Sequence, residues 1–185
     1  MTGTPLVVLD ACVLANFSLC DTLLRLAEPP VLYEPKWSDE IIRETTRTLD
    51  SKLGWPGSLT AYLESELRAH FSEAWISGYE ALIPRMTNNE KDRHVLAAAA
   101  HGQAPIIITF NLRHFRPEHL DPWGIRALHP QSFLMEIFRQ EESLVMRKLE
   151  QQAADRRRTL RQLLDILKAT VPEFVAIISA AISRK

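Results

Sequence analysis

Cysteine is scarce in this chain: two residues, Cys12 and Cys20, in 185. They stand eight positions apart in a segment with helical periodicity, about two turns on one side and too far for a bridge within an intact helix. A disulfide framework is thereby excluded, and the pair reads as buried thiols of a reducing compartment. No further cysteine completes a zinc set, and His94, His101, His114 and His119 do not share metal-ligand spacing. Long apolar runs are missing too. Leu6-Val7-Val8-Leu9 breaks at Asp10, and Met1-Thr2-Gly3-Thr4-Pro5 carries no positive charge. Neither a signal peptide nor a membrane span is expected, and the default location is the cytoplasm. Internal repeats and low-complexity linkers are absent. Trp37, Trp55, Trp75 and Trp123 are scattered, which gives no stacking platform for single-stranded nucleic acid.

Net charge is small, formally −1, and unevenly divided. Residues 1 to 132 hold 12 Lys/Arg against 16 Asp/Glu, whereas residues 133 to 185 hold 10 against 7. An acidic body argues against duplex binding through bulk charge, since phosphate affinity comes mainly from Lys and Arg. It leaves room for a metal site, which needs local negative charge. Apolar content of 46% with 24% charged residues belongs to a globular protein. The length suits one domain with a full core plus a helical appendage.

Residues 5 to 10 read as a continuously apolar strand covered on both faces. Helical spacing follows over 11 to 27 and stops at Pro29-Pro30. Val31 to Trp37 returns as a strand, and Ser38 is an N-cap for a helix over 39 to 49. After Gly54, Pro56 and Gly57 a helix spans 58 to 71; residues 74 to 82 fit strand or loop equally. Asn88-Asn89 caps a helix over 90 to 100, whose four alanines allow close approach to a sheet. Gly102 suits its C-cap, 105 to 109 is an Ile-rich buried strand, and 124 to 128 is a last short strand. This alternation predicts an α/β fold with a mainly parallel sheet. Residues beyond 131 read as helices alone, broken at Pro172. The stripe Phe174, Val175, Ile177, Ile178, Ala181 and Ile182 needs a partner surface, on the domain or on another chain.

Asp10 ends the first strand, where open parallel sheets gather ligands. Glu44 lies one turn into the helix opened by Ser38, Asp92 begins the Ala-rich helix, and Asn111 follows the strand Ile106-Ile107-Ile108-Thr109. Each has a bland reading. Asp10 is an N-cap, Glu44 an i, i+3 partner of Arg47, and Asp92 a first-turn acid favoured by the helix dipole. Asp39 and Glu40 have the same dipole explanation, Ser38 and Thr109 are accounted for by a cap and a strand-end hydroxyl, and Asn16 either lines the cleft or faces solvent. Gathered at one rim, three carboxylates repel unless protonated or bridged by a cation. Mg²⁺ or Mn²⁺ is the natural choice, because both take hard oxygen ligands and keep waters for a phosphate. Such a site activates a water and stabilises the leaving oxygen of a phosphodiester.

Four blocks carry a resemblance. Val8-Leu9-Asp10-Ala11-Cys12-Val13-Leu14, Trp37-Ser38-Asp39-Glu40-Ile41-Ile42-Arg43-Glu44, Asp92-Arg93-His94-Val95-Leu96-Ala97-Ala98-Ala99 and Ile108-Thr109-Phe110-Asn111-Leu112-Arg113-His114-Phe115 resemble, in order and interval, the motif blocks of PIN domains. The resemblance covers residues 5 to 135 and is nearest to the VapC-like toxins, ribonucleases of bacterial toxin–antitoxin pairs. It implies a three-layer α/β/α nuclease domain over 5 to 135 with a C-terminal helical extension over 136 to 185. It also implies a Mg²⁺- or Mn²⁺-dependent endoribonuclease, with Asp10, Glu44 and Asp92 as metal-binding acids and Asn111 assisting. Many PIN domains carry Asp at the position of Asn111 or at that of His114, so three acids are expected here and a single tightly held metal. Arg113, His114 and Arg116 form a basic loop suited either to the RNA backbone or to solvent. Asp155-Arg156-Arg157-Arg158 with Arg161 reads as a solvated face or a contact for an acidic partner. The partners implied are RNA, a cognate antitoxin and a second copy in a homodimer, with no membrane. Two rivals stand beside this reading. One is a catalytically degenerate PIN domain that binds RNA or protein; the other, a phosphatase of the haloacid-dehalogenase type, wants Asp where this chain has Cys12.

Overall fold

The computed structural model describes residues 3–184. Met1 and Thr2, part of the uncharged start, and Lys185, the last residue of the expected extension, lie outside the described residues. The strands are β1 (Leu6–Leu9), β2 (Glu34–Ser38), β3 (Trp75–Ile76), β4 (Ile106–Ile108) and β5 (Arg126–Leu128). They form one sheet in the order β3-β2-β1-β4-β5, with every pairing parallel. Parallel neighbours require crossovers. These are made by helices α1 (Ala11–Leu14), α2 (Phe17–Ala27), α3 (Asp39–Leu53), α4 (Gly57–His70), α5 (Arg93–His101) and the short α6 (Pro117–Leu120). Val7, Val8 and Leu9 are fully buried, as are Ile107 and Ile108. Successive strand side chains point to opposite faces, so burial of consecutive residues means that helices cover both. The three-layer α/β/α arrangement expected from the sequence is the one observed.

Topology places a crevice. From central β1 the chain moves to β2 and β3 on one side and then crosses to β4 on the other, which makes the gap between β1 and β4 the topological switch point. Register aligns Leu9 with Ile108, and Asp10 N–H donates to Ile108 C=O at 3.0 Å. Asp10 and Thr109 therefore leave the sheet side by side.

Several boundaries differ from the sequence reading. The helix expected over 11 to 27 is broken at Asn16, which is extended (φ −86°, ψ 92°) and caps α2 by accepting from Leu19 N–H at 3.3 Å. Its amide also donates to Thr170 Oγ1 at 3.2 Å, so Asn16 is a tether to the C-terminal helices rather than a cleft or solvent residue. Ser38 caps α3 as expected, accepting from Ile41 N–H at 3.3 Å, and α3 runs on to Leu53, ending at left-handed Gly54 (φ 67°). Residues 74 to 82 contain the two-residue β3 and the start of a 3₁₀ turn over Glu80–Arg85. A 3₁₀ turn over Glu90–Asp92 delays α5 to Arg93.

Four helices follow: α7 (Pro130–Gln140), α8 (Glu142–Asp155), α9 (Leu160–Leu167) and α10 (Pro172–Ser183), the last opened by Pro172 at its first turn. They pack back onto the sheet domain. Lys148 Nζ donates to the carbonyls of Arg25 and Glu28, both at 2.7 Å, and so satisfies the orphan end of α2. Buried Gln152 accepts from Thr22 Oγ1 at 2.9 Å, Arg25 pairs with Asp155 at 2.7 Å, and Arg156 pairs with Asp21 at 3.1 Å. Asp155 and Arg156, read from sequence as part of a solvated or partner-facing run, thus bind within the chain. The α10 stripe is covered the same way: Phe174, Val175, Ile178 and Ala181 are buried, with α10 seated on α7 and α9. Among the described residues no helix is long and apolar enough to cross a membrane.

Candidate active site

Asp10 is 3% exposed and holds the N-cap position of α1, yet its side chain makes no cap bond. Instead Oδ2 accepts from Thr109 Oγ1 at 2.6 Å and from Cys12 Sγ at 3.1 Å. Those donors are themselves held, because Asn111 N–H donates to Thr109 Oγ1 at 3.0 Å and Phe110 N–H to Cys12 Sγ at 3.4 Å. Burial, then the Asp10 charge, pushes the Cys12 thiol up to about 12, which keeps it a protonated donor.

Asp92 occupies the N-cap position of α5, also without a cap bond from its side chain. Its backbone carbonyl accepts from Asn88 Nδ2 at 3.1 Å, and its Oδ2 lies 2.8 Å from His114 Nδ1. Burial first and the Asp10 charge second raise its carboxyl above the ordinary value, against the opposing pull of His114 and His94. Asp10 and Asp92 therefore share one low-dielectric rim.

Glu44 reaches this rim through a histidine. Its Oε2 lies 3.5 Å from His94 Nε2, close enough for an ion pair but without hydrogen-bond geometry, and that buried nitrogen has no other partner among the described residues. Burial works to lower the His94 pKa; Glu44, then Glu40 and Asp10, outweigh it and raise it. Glu40 pairs with Arg43 at 2.7 Å and is half-buried, near enough to His94 to act on its charge. On the loop after β4, Arg113 Nε donates to His114 Nε2 at 3.2 Å, while Arg116 is exposed beside Glu118 at 3.7 Å. Asn111 is half-buried and contributes its backbone N–H to the Thr109 network.

The structure thus sets Asp10 under Thr109 and Cys12, sets Glu44 against His94, and turns His114 inward onto Asp92. Sequence reasoning read Cys12 as a buried thiol, set His94 aside as lacking metal-ligand spacing and explained Thr109 as a strand-end hydroxyl. Their roles depend on the β1–β4 register and on the α3–α5 approach, neither of which periodicity encodes. Among the described residues no three His, Cys, Asp or Glu side chains are arranged to hold a metal ion. The donors still fit a hard divalent cation in kind. Asp10 and Asp92 are carboxylates that repel one another, all the hydrogen bonds described to them fall on Oδ2, and a third carboxylate, Glu44, stands at the same rim held only by a long contact.

A five-stranded parallel sheet with acids at the carboxyl end of β1, one turn into α3 and at the start of α5 defines a PIN-like α/β domain. Among known proteins, the chain is 37% identical over 133 residues to the protein named "Putative ribonuclease VapC50" of Mycobacterium tuberculosis (strain ATCC 25618 / H37Rv), a match covering 70% of this chain and 77% of that one. The chain belongs to the VapC-like PIN-domain toxins. No family model matches it, and no solved structure does.

Proposed function

We propose that this chain is a Mg²⁺- or Mn²⁺-dependent endoribonuclease, the toxin of a type II toxin–antitoxin pair, which hydrolyses RNA phosphodiesters. The observation that carries the reading is that the one segment after β4 meets both acids, Thr109 Oγ1 on Asp10 Oδ2 at 2.6 Å and His114 Nδ1 on Asp92 Oδ2 at 2.8 Å. The ribonuclease name of its VapC50 relative supports the same reaction class. In this reading Asp10, Glu44 and Asp92 hold the cation and Asn111 assists. When bound, the cation supplies water activation and neutralises charge on the leaving oxygen. Thr109 and Cys12 fix Asp10 by one oxygen, so the other is the ligand oxygen. Arg113 and Arg116, with His114 between them in the loop, hold the RNA backbone.

A nuclease unit over 5 to 135, a helical extension over 136 to 185, a cytoplasmic location and a homodimer complete the reading. A cognate antitoxin protein belongs to it as well. It is supported by a groove of about 680 Å³ lined by Phe17, Leu24, Trp55, Tyr62 and Leu63, with Phe17 and Tyr62 largely exposed. The test is RNA cleavage by the purified chain with Mn²⁺, with chelator, and by Asp10→Asn and Asp92→Asn. Metal-dependent cleavage lost in both variants is expected. Cleavage at the parent rate in both variants, or in chelator, would sink the mechanism. RNA held but never cut would favour the degenerate binding module, which the pairing of Glu44 and Asp92 with histidines makes the second reading.

A further inference from the structure

Arg113, His114 and Asp92 form a continuous chain of hydrogen bonds, and its chemistry fixes the proton on the ring. The Arg113 guanidinium only donates, so His114 Nε2, 3.2 Å from Arg113 Nε, must be an acceptor and carries no hydrogen. A neutral imidazole then holds its hydrogen on Nδ1, which lies 2.8 Å from Asp92 Oδ2. The reverse arrangement, with a protonated Asp92 donating to Nδ1, would leave both ring nitrogens as acceptors and require an imidazolate. The bond therefore runs from Nδ1–H to the ionised carboxylate.

From this geometry we infer that His114 is a positioning residue for Asp92, locked in its Nδ1–H form by Arg113. Asp92 then keeps one oxygen pinned and presents the other to the cleft. The arrangement mirrors the other side of the site, where Thr109 and Cys12 pin Oδ2 of Asp10. A single segment, Thr109 to His114, thereby orients both carboxylates by donated hydrogen bonds. At the position where related domains carry another acid, this chain adds a neutral donor and no charge. One divalent cation per chain is the consequence, because a second would lack the negative charge to hold it. Arg113 is exposed, and a phosphate oxygen is a stronger partner for it than a neutral ring nitrogen.

The inference rests on the metal-nuclease reading, and its test has one arm that does not need metal. In the full chain without metal, ¹⁵N NMR of the histidine rings identifies which nitrogen of His114 is protonated. A protonated Nδ1, with this preference lost in Arg113→Ala, is expected; a protonated Nε2 or an imidazolium would overturn the inference. The second arm is Mn²⁺ titration by calorimetry. One Mn²⁺ per parent chain is expected, with affinity about 10-fold weaker in His114→Ala. His114→Asn, whose amide N–H can stand in for Nδ1–H, should recover most of it. Asn performing no better than Ala, or two Mn²⁺ per parent chain, would overturn the positioning role. A parent chain that shows the Nδ1–H form yet binds no Mn²⁺ would overturn the metal reading itself and, with it, the purpose of the relay.

Discussion

Asp92 and His94, two positions apart, both hold protons more tightly in the folded chain than their ordinary pKa values of 3.8 and 6.5. A folded-state pKa above the unfolded one contributes stability that is complete below the unfolded value and lost as pH rises through the folded one. For Asp92 the loss begins above pH 3.8, and for His94 above pH 6.5. The metal-free chain should therefore lose stability as pH rises through both windows. Asp92→Asn should remove the lower step, since an amide cannot ionise, and should melt above the parent at neutral pH. Thermal melts in chelator across that range check this. A parent curve flat with pH, or an Asn variant that melts lower at neutral pH, would mean that the acids are not in conflict.

Among the elements, the junction of α5 with β3 depends on one missing side chain. A Cβ on Gly102 would lie 2.6 Å from Ile76 Cδ1 and 3.2 Å from the Ala98 carbonyl oxygen. Gly102 is the C-cap of this helix end as expected, with φ −77°, and the positive φ falls on Gln103 after it. The residue is required for close approach. Gly102→Ala should cost about 1–3 kcal/mol through overpacking. Because the clash is with the tip of a flexible side chain, Ile76→Val in the same chain should recover part of it. Urea melts of the two single variants and the double variant measure this, and strict additivity would refute the contact. The same junction carries α5, whose Ala97, Ala98 and Ala99 are fully buried and whose first residue follows Asp92. Small side chains let this helix lie close over the sheet and bring an acid to the rim.

Over the whole molecule, the C-terminal helices are structural members. Phe174 on α10 is fully buried, with its ring edge-on to Phe138 of α7 at 6.4 Å. Phe174→Ala should cost about 3–5 kcal/mol in denaturant melts. A loss below about 1 kcal/mol would show an extension only loosely attached to the domain. The stripe that raised the question of another chain is covered within this one, leaving Ile182 exposed at its end. A separate apolar groove includes Phe17, Trp55 and Tyr62 and shares no residue with the acid rim.

The order of strands and helices apart from β3, the parallel class of the sheet and the acids at element ends were legible in the sequence. Buried strands, amphipathic helices and caps are written in short-range periodicity, and the four blocks around Asp10, Glu44, Asp92 and Asn111 stand at those ends. What each acid touches was not legible. The Thr109 bond to Asp10 spans 99 positions, and the His114 contact with Asp92 joins a loop after β4 to the start of α5. Such bonds depend on strand register and helix approach, which fix positions to within an ångström and leave no trace in local composition. Sequence alone therefore determined which acids stand at the ends of the strands and helices. Only the tertiary structure decided that Thr109 and Cys12 hold Asp10, that histidines meet Glu44 and Asp92, and that Lys148 and Arg156 bind back on α2, because hydrogen bonds and ion pairs form only where folding brings distant groups into contact.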